Sequence, residues 1–291
     1  MALSKILPAG QAQFAGARNL IINGSMICSQ RGTSTAYSAN TSRGYVLDRW
    51  YGEGYPLNAT IAQSTLAYDG ITYECASLSS ITGTYYFYQA IEDGVKYNKG
   101  KNLVLSFVAS GSGNIQCQYN AGTVGTVNLG SAITLTGTPT KYSVAFTVSG
   151  SATGDHLYIG FNGSGGSFNV SLVQLEVGST ATDFQHRSYG DELAKCQRYY
   201  QSMDYYYSSG STSSNGFYYT PLCFPVTMRA TPAMTASQWG QNTGNASTYH
   251  SSNLVNGWIL VSALSTACIV RGNHTNTYNL MAGRGKFDAE L

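Results

Sequence analysis

The chain reads as all-β: two β-sandwich, jelly-roll-like domains joined by a short helix, with an extended N-terminal anchor. Three observations point there. Charged residues make up only 10% of the 291 residues, against roughly 25% in ordinary soluble proteins. Their place is taken by Ser, Thr, Asn and 33 Gly, alongside 23 Tyr, a mixture suited to pleated surfaces joined by tight turns. Short segments with apolar and polar residues in alternation recur along the chain, while long Ala/Glu/Lys/Leu/Arg stretches at helical spacing are missing.

Taken in order, residues 1–17 carry little periodicity and read as a tail outside the core. Asn19-Leu-Ile-Ile-Asn-Gly24 reads as a strand running into a turn. Further strands are expected at Ala59–Leu66, Thr72–Ser77, Tyr85–Ile91, Asn102–Ala109, Ile115–Tyr119, Lys141–Val148, His156–Phe161 and Phe168–Glu176. Alternation is plain in Leu103-Val-Leu-Ser-Phe-Val108 and Tyr142-Ser-Val-Ala-Phe-Thr-Val148. Tyr189–Tyr200 is the most helix-like stretch, with Asp191 and Glu192 at its start and Lys195 and Arg198 near its end, in accord with the helix dipole. Strands then resume at Tyr199–Tyr207, Gly216–Phe224, Val226–Ala230, Met234–Ser237, Gly257–Leu264, Ala267–Gly272 and Lys286–Leu291. The expected organisation is therefore an anchoring segment 1–17, a jelly-roll domain 18–188, a connector helix 189–200 and a C-terminal sandwich 201–291.

Composition excludes several classes of function. Sixteen Lys and Arg against fourteen Asp and Glu give a net charge of +2, too little positive charge to displace counterions from nucleic acid. No run approaches the roughly 18 apolar residues of a spanning helix, so no membrane insertion is expected. Met1–Pro8 holds one Lys and no continuous apolar stretch, which argues against a signal peptide and for assembly in a cytoplasm. Cys28, Cys75, Cys117, Cys196, Cys223 and Cys268 include no C-x-x-C pair, so zinc is not expected and the thiols read as reduced and buried. No enzyme signature is present: there is no Gly-x-Ser-x-Gly elbow or His-Glu-x-x-His, and the carboxylates are scattered. Neither a cofactor nor a catalytic residue is expected.

The aromatic residues are the candidates for recognition. Trp50, in Asp48-Arg-Trp50, either stacks on a sugar ring or fills the sandwich core; Tyr51 and Tyr55, in the adjoining Gly-rich segment, are the readier exposed partners. In Tyr85-Tyr-Phe-Tyr88, strand alternation puts Tyr86 and Tyr88 on one face and Tyr85 and Phe87 on the other. One face is core and the other a ligand or intersubunit surface. Tyr205-Tyr-Tyr207 and Phe217-Tyr-Tyr219 flank a Ser/Gly loop, and Tyr249 lies in the polar stretch 241–253. Tyr205, Tyr207, Tyr218 and Tyr249 would supply rigid anchors among adaptable polar contacts, or cross-strand aromatic pairs in a hairpin.

Several strings, in order and spacing, resemble bacteriophage tail-fibre and minor virion proteins. They are Asn19–Gly24, Gln30-Arg-Gly32, Leu47-Asp-Arg-Trp50, Val173-Gln-Leu-Glu-Val-Gly-Ser179, Asp183-Phe-Gln-His-Arg187, Tyr189–Tyr200, Phe224–Pro232 and Phe287-Asp-Ala-Glu-Leu291. The resemblance covers residues 18–291. It implies a first domain like a carbohydrate-binding-module jelly roll, and a C-terminal sandwich that trimerises and faces a receptor. It further implies a homotrimer on a virion, held to a tail, nozzle or baseplate protein by residues 1–17 and attaching to a host surface glycan. The alternative it allows is a structural decoration or connector protein of the virion without sugar binding. Related sugar-binding modules hold a structural calcium at two acidic positions; those positions read Ser25 and Ser171 here.

Overall fold

The computed structural model describes residues 18–37, 44–209, 216–242, 249–250, 259–274 and 279–290. The expected anchor, 1–17, lies outside them. The chain divides into two compact units, Met1–Glu192 and Leu193–Leu291, and all-β is the right class for both.

In the first unit the strands are β1 (Ser34–Tyr37), β2 (Gly44–Tyr45), β3 (Tyr51–Tyr68), β4 (Ile71–Ile91), β5 (Asn102–Ser112), β6 (Asn114–Asn120), β7 (Thr126–Thr134), β8 (Thr140–Thr147), β9 (Leu157–Ser164) and β10 (Ser167–Val177). A short helix α1 (Gly94–Asn98) follows β4. The strands run in the order β7-β6-β9-β4-β10-β5-β8, with β3 beside β4 and both β1 and β2 beside β3.

The long strand β4 organises the unit. Its residues Thr84–Ile91 pair with β9, whereas Ala76–Leu78 pair with β10. Between those stretches Ser80 and Gly83 take positive φ of 56° and 89°, and the facing β3 shifts register around Asn58. Bulges and left-handed residues bend a strand, so the β3–β4 hairpin crosses from one layer to the other. The core lies between the layers: Phe161 of β9 meets Phe107 of β5 edge to face at 4.8 Å, and Tyr119 of β6 stacks on Phe146 of β8 at 5.3 Å. The front layer, β3-β4-β9-β6-β7, keeps its other face open: β6 alternates buried Ile115, Cys117 and Tyr119 with part-exposed Gln116, Gln118 and Asn120. The opposite layer is covered on its outer side as well, where Phe184 packs with Leu66, Cys75, Val108 and Leu172.

Two sequence expectations change here. Thr72–Ser77 and Tyr85–Ile91 are one strand, not two. Asn19–Gly24 forms no strand; it meets β10 only at its ends, through Leu20 N to Leu175 O and Val173 N to Gly24 O, and side chains take up the backbone between. Asn19 N donates to Gln185 Oε1 (2.8 Å), Ile22 exchanges both its bonds with the Gln89 amide, and Asn23 N donates to Glu192.

In the second unit β11 (Tyr200–Ser209), β17 (Asn279–Asp288), β13 (Ala233–Asn242) and β14 (Tyr249–His250) form one sheet in that order. A second sheet holds β12 (Gly216–Cys223), β16 (Ala267–His274) and β15 (Ile259–Ala263). Phe287 of the first sheet and Cys268 of the second are buried in one cluster with Phe224, Met228 and Ala289. The expected strand Val226–Ala230 is instead irregular. It follows Pro225, which lacks a donor, and the buried Met228 holds it down, its N–H donating to Ser265 O at 2.7 Å. The expected helix is present as α2 (Tyr189–Gln197), started by Ser188, whose Oγ accepts from Asp191 N at 3.1 Å. The division between units falls inside it.

Candidate functional site

A cleft of about 420 Å³ opens on the free face of the front layer, lined by Glu53 of β3, Tyr86 and Tyr88 of β4, Tyr158 and Gly160 of β9, Gln118 and Asn120 of β6, and Thr126 of β7. Register explains why these residues meet. Tyr88 lies opposite Tyr51 on one side and Gly160 on the other, and Gly160 lies opposite Gln118. One row on, Tyr158 lies opposite Asn120, which faces Thr126. Because side chains alternate across a strand, these residues share the outward face while Tyr85, Phe87, Ile159 and Phe161 point into the core.

Gly160 shapes the floor. A Cβ there would come within 2.2 Å of Phe87 O and 2.5 Å of Tyr88 Cα, so only glycine lets β9 sit so close to β4, and the row from Tyr88 to Gln118 has a gap at its centre. Rings stand around that gap. Tyr88 meets Tyr158 edge-on at 5.8 Å and Tyr51 at 5.2 Å, and Tyr51 meets Tyr45 at 5.0 Å. Tyr86 is 38% exposed.

The polar atoms are held in place. Tyr88 OH donates to Glu53 Oε2 at 3.0 Å. Burial first, and then the Glu53 charge, push the Tyr88 hydroxyl well above the usual phenol range, so it keeps its proton and orients the carboxylate. Gln118 Nε2 donates to Asn128 Oδ1 (2.6 Å), and Asn120 Nδ2 to Thr126 Oγ1 (3.1 Å). The described lining thus offers tyrosine faces, two amides and one oriented carboxylate, with no cationic side chain.

The other sequence candidates are placed differently. Trp50 is fully buried, stacked on Phe87 at 4.9 Å, with Nε1 donating to Asn23 O; it is core and cannot meet a ligand. Tyr51 stands beside the cleft, next to Tyr88. The side chains of Tyr55, Tyr205, Tyr207, Tyr218 and Tyr249 lie outside the described residues. Tyr86 and Tyr88 share a face as their spacing requires. Tyr158, Gln118 and Asn120 are not marked as site residues by sequence; the one signal for the two amides is the alternation of Ile115–Asn120, and Tyr158 lies on β9.

The strings that carry the fibre resemblance build structure. Asn19, Val173 and Leu175 interlock through Asn19 Nδ2 to Val173 O, Leu20 N to Leu175 O and Leu175 N to Asn19 Oδ1. Arg187 reaches the carbonyls of Asn19 and Ile21 and pairs with Glu192 at 3.2 Å. Asp48 Oδ2 accepts from both Gln30 nitrogens. Ser171 Oγ donates to Glu74 O and brings a neutral hydroxyl where the related modules carry a carboxylate, and no three His, Cys, Asp or Glu gather as ligands among the described residues.

No family model matches the chain, and no curated protein matches it. Solved structures similar to it include the enzymatically active domain of tailspike protein 4 from bacteriophage CBA120, at 18% identity and TM-score 0.38, covering 55% of this chain and 22% of that one. The CBM22-1 xylan-binding domain of Paenibacillus barcinonensis Xyn10C matches at 11% identity and TM-score 0.36, over 56% of this chain and 96% of that one. A CBM4 structure matches at 17% and 0.35, over 54% and 98%. None is similar enough to carry a function across.

Proposed function

We propose that the first unit binds a neutral host-surface glycan in the tyrosine cleft, and that the chain is a non-enzymatic fibre protein of a phage virion mediating attachment. The observation that carries the binding is the conjunction of Tyr86, Tyr88 and Tyr158 with Glu53, Gln118 and Asn120 in one open cleft. A sugar ring presents an apolar face and a rim of hydroxyls. Tyrosine rings match the first, while amides and an oriented carboxylate match the second. A single carboxylate with no cation in the described lining favours neutral sugars over acidic ones, whose carboxylates would be repelled by Glu53. Glycoside hydrolysis uses two carboxyls about 5–10 Å apart, so one Glu in the described lining fits retention of a sugar better than its cleavage. The virion role is supported by the ordered fibre-like strings of residues 18–291, and residues 1–17 would be the attachment to a tail, nozzle or baseplate protein.

The test is affinity electrophoresis against a panel of neutral and acidic polysaccharides, comparing wild type with a Tyr88→Ala, Tyr158→Ala double variant. Retardation by a neutral glycan that the variant loses, with its melting otherwise cooperative, is the expected result. Equal retardation of both proteins would move the site elsewhere. No retardation by any glycan would favour the decoration-protein alternative.

A further inference from the structure

A second cleft, of about 390 Å³, lies on the same sheet face, lined by Thr84 of β4, Asn114 and Gln116 of β6, Ala132 of β7 and Asn162 and Ser164 of β9. Its described lining holds no aromatic residue. The register joins it to the first: Tyr86, at the rim of the tyrosine cleft, lies opposite Asn162, and Asn162 lies opposite Gln116. Following β4 from Tyr88 through Tyr86 to Thr84, β9 from Tyr158 through Gly160 and Asn162 to Ser164, and β6 from Asn120 back to Asn114 stays on one face throughout. The two clefts are therefore the two ends of one track running along the strands.

The second end is chemically distinct. Among the described residues the amides of Asn114 and Asn162 have no protein partner, while Gln116 Nε2 is held by Leu129 O at 3.1 Å and Gly130 O at 3.3 Å. That anchoring leaves the Gln116 carbonyl oxygen as the atom available to a ligand. Fixed and unpartnered amides side by side suit a chain of hydroxyls, since each amide both donates and accepts. At about 3.3 Å per residue, the seven residues of β6 span roughly 20 Å, the length of about four pyranose rings in extended form.

Building on the glycan-binding reading of the tyrosine cleft, we propose that the amide cleft is a second subsite, so that the ligand is an internal stretch of an extended neutral polysaccharide lying along the strands. A terminal sugar alone would occupy only the tyrosine end. Stacking then fixes one end of the ligand and hydrogen bonding reads the other.

The experiment is titration calorimetry of the full chain with chito-, malto- and manno-oligosaccharide ladders of increasing length, for wild type and an Asn114→Ala, Asn162→Ala double variant. Affinity is expected to rise about tenfold or more from disaccharide to tetrasaccharide and then level off, as two or more neutral hydrogen bonds would give. The double variant should lose that gain while binding disaccharide as wild type does. Both residues are surface-exposed or half-buried, so folding should survive, and a melting curve checks it. As a second readout, the Asn114 and Asn162 side-chain amide resonances should shift with tetrasaccharide and not with disaccharide. Affinity already at its plateau with a disaccharide, or a variant equal to wild type on every length, would overturn the subsite and leave the tyrosine cleft standing. Binding by no ladder would overturn both.

Discussion

Asp48 shows how a single buried group sets a pH response. It is 1% exposed; its Oδ2 accepts from Gln30 while its Oδ1 has no partner. Burial outweighs the Gln30 bonds and the nearby Arg31 charge, holding the carboxyl above its ordinary range. A carboxylate whose folded pKa is raised binds its proton more tightly in the folded chain, so stability falls as pH rises from the unfolded value through the folded one. Glu176 has the opposite sign. Although burial works against it, its bonds from Thr182 and Gln174 and the Arg18 charge hold it below its ordinary range, so it stabilises above the unfolded value and loses that contribution as pH drops. The two are separated by difference: Asp48→Asn should flatten the loss of stability that sets in as pH rises above the ordinary Asp range, while leaving the acid-side loss intact. Urea midpoints on both sides of that range, measured for both proteins, check this. Parallel curves would mean that Asp48 is already ionised without cost.

At the scale of elements, the segment Asn19–Gly24 is held by a tight approach that its Asn-Gly ending requires. Gly24 O accepts from Val173 N at 2.8 Å, and a Cβ on Gly24 would lie 2.1 Å from Val173 O. Gly24→Ala should therefore push the segment off β10 and cost about 1–3 kcal/mol, read as a lower denaturant midpoint. An unchanged midpoint would show that the segment can shift without loosening the interlock of Asn19, Leu175 and Arg187. This segment looks like a strand in sequence because Leu-Ile-Ile is apolar; between its two backbone bonds to β10, the bonds that replace a ladder come from Gln89, Gln185 and Glu192, too distant in sequence to be foreseen. The same limit explains β4. Ser79-Ser-Ile-Thr-Gly83 has turn composition, but here it bends one strand between two layers rather than ending it. β7 was missed because Gly130 interrupts a polar, half-exposed edge strand. In the cleft, the shared face of Tyr86 and Tyr88 was legible from alternation alone. Their meeting with Tyr158, Gln118 and Asn120 was not, since β4, β9 and β6 are neighbours only through register between strands far apart in sequence.

For the whole molecule, the proposed fibre makes assembly and binding separable. The first unit contains the entire cleft and its own core. In the second unit, β11, β14, β12 and β15 each pair on one side only among the described strands, and open sheet edges are what symmetric assembly conceals. The expectation is that the full chain is a homotrimer and that its avidity resides in that assembly. A fragment spanning residues 18–197 keeps α2 and with it the Glu192 contacts to Arg187 and Asn23, so it should fold as a monomer. Its affinity for a soluble oligosaccharide, about millimolar to micromolar for one site of this kind, should equal that of the full chain per site. On a glycan-coated surface the two should part, the full chain binding about 10²–10⁴ times more tightly through linked sites. Light scattering and surface binding on both proteins decide the matter together. A monomeric full chain would remove the trimer, and equal surface affinity from a confirmed trimer would mean that the three clefts cannot engage one surface at once.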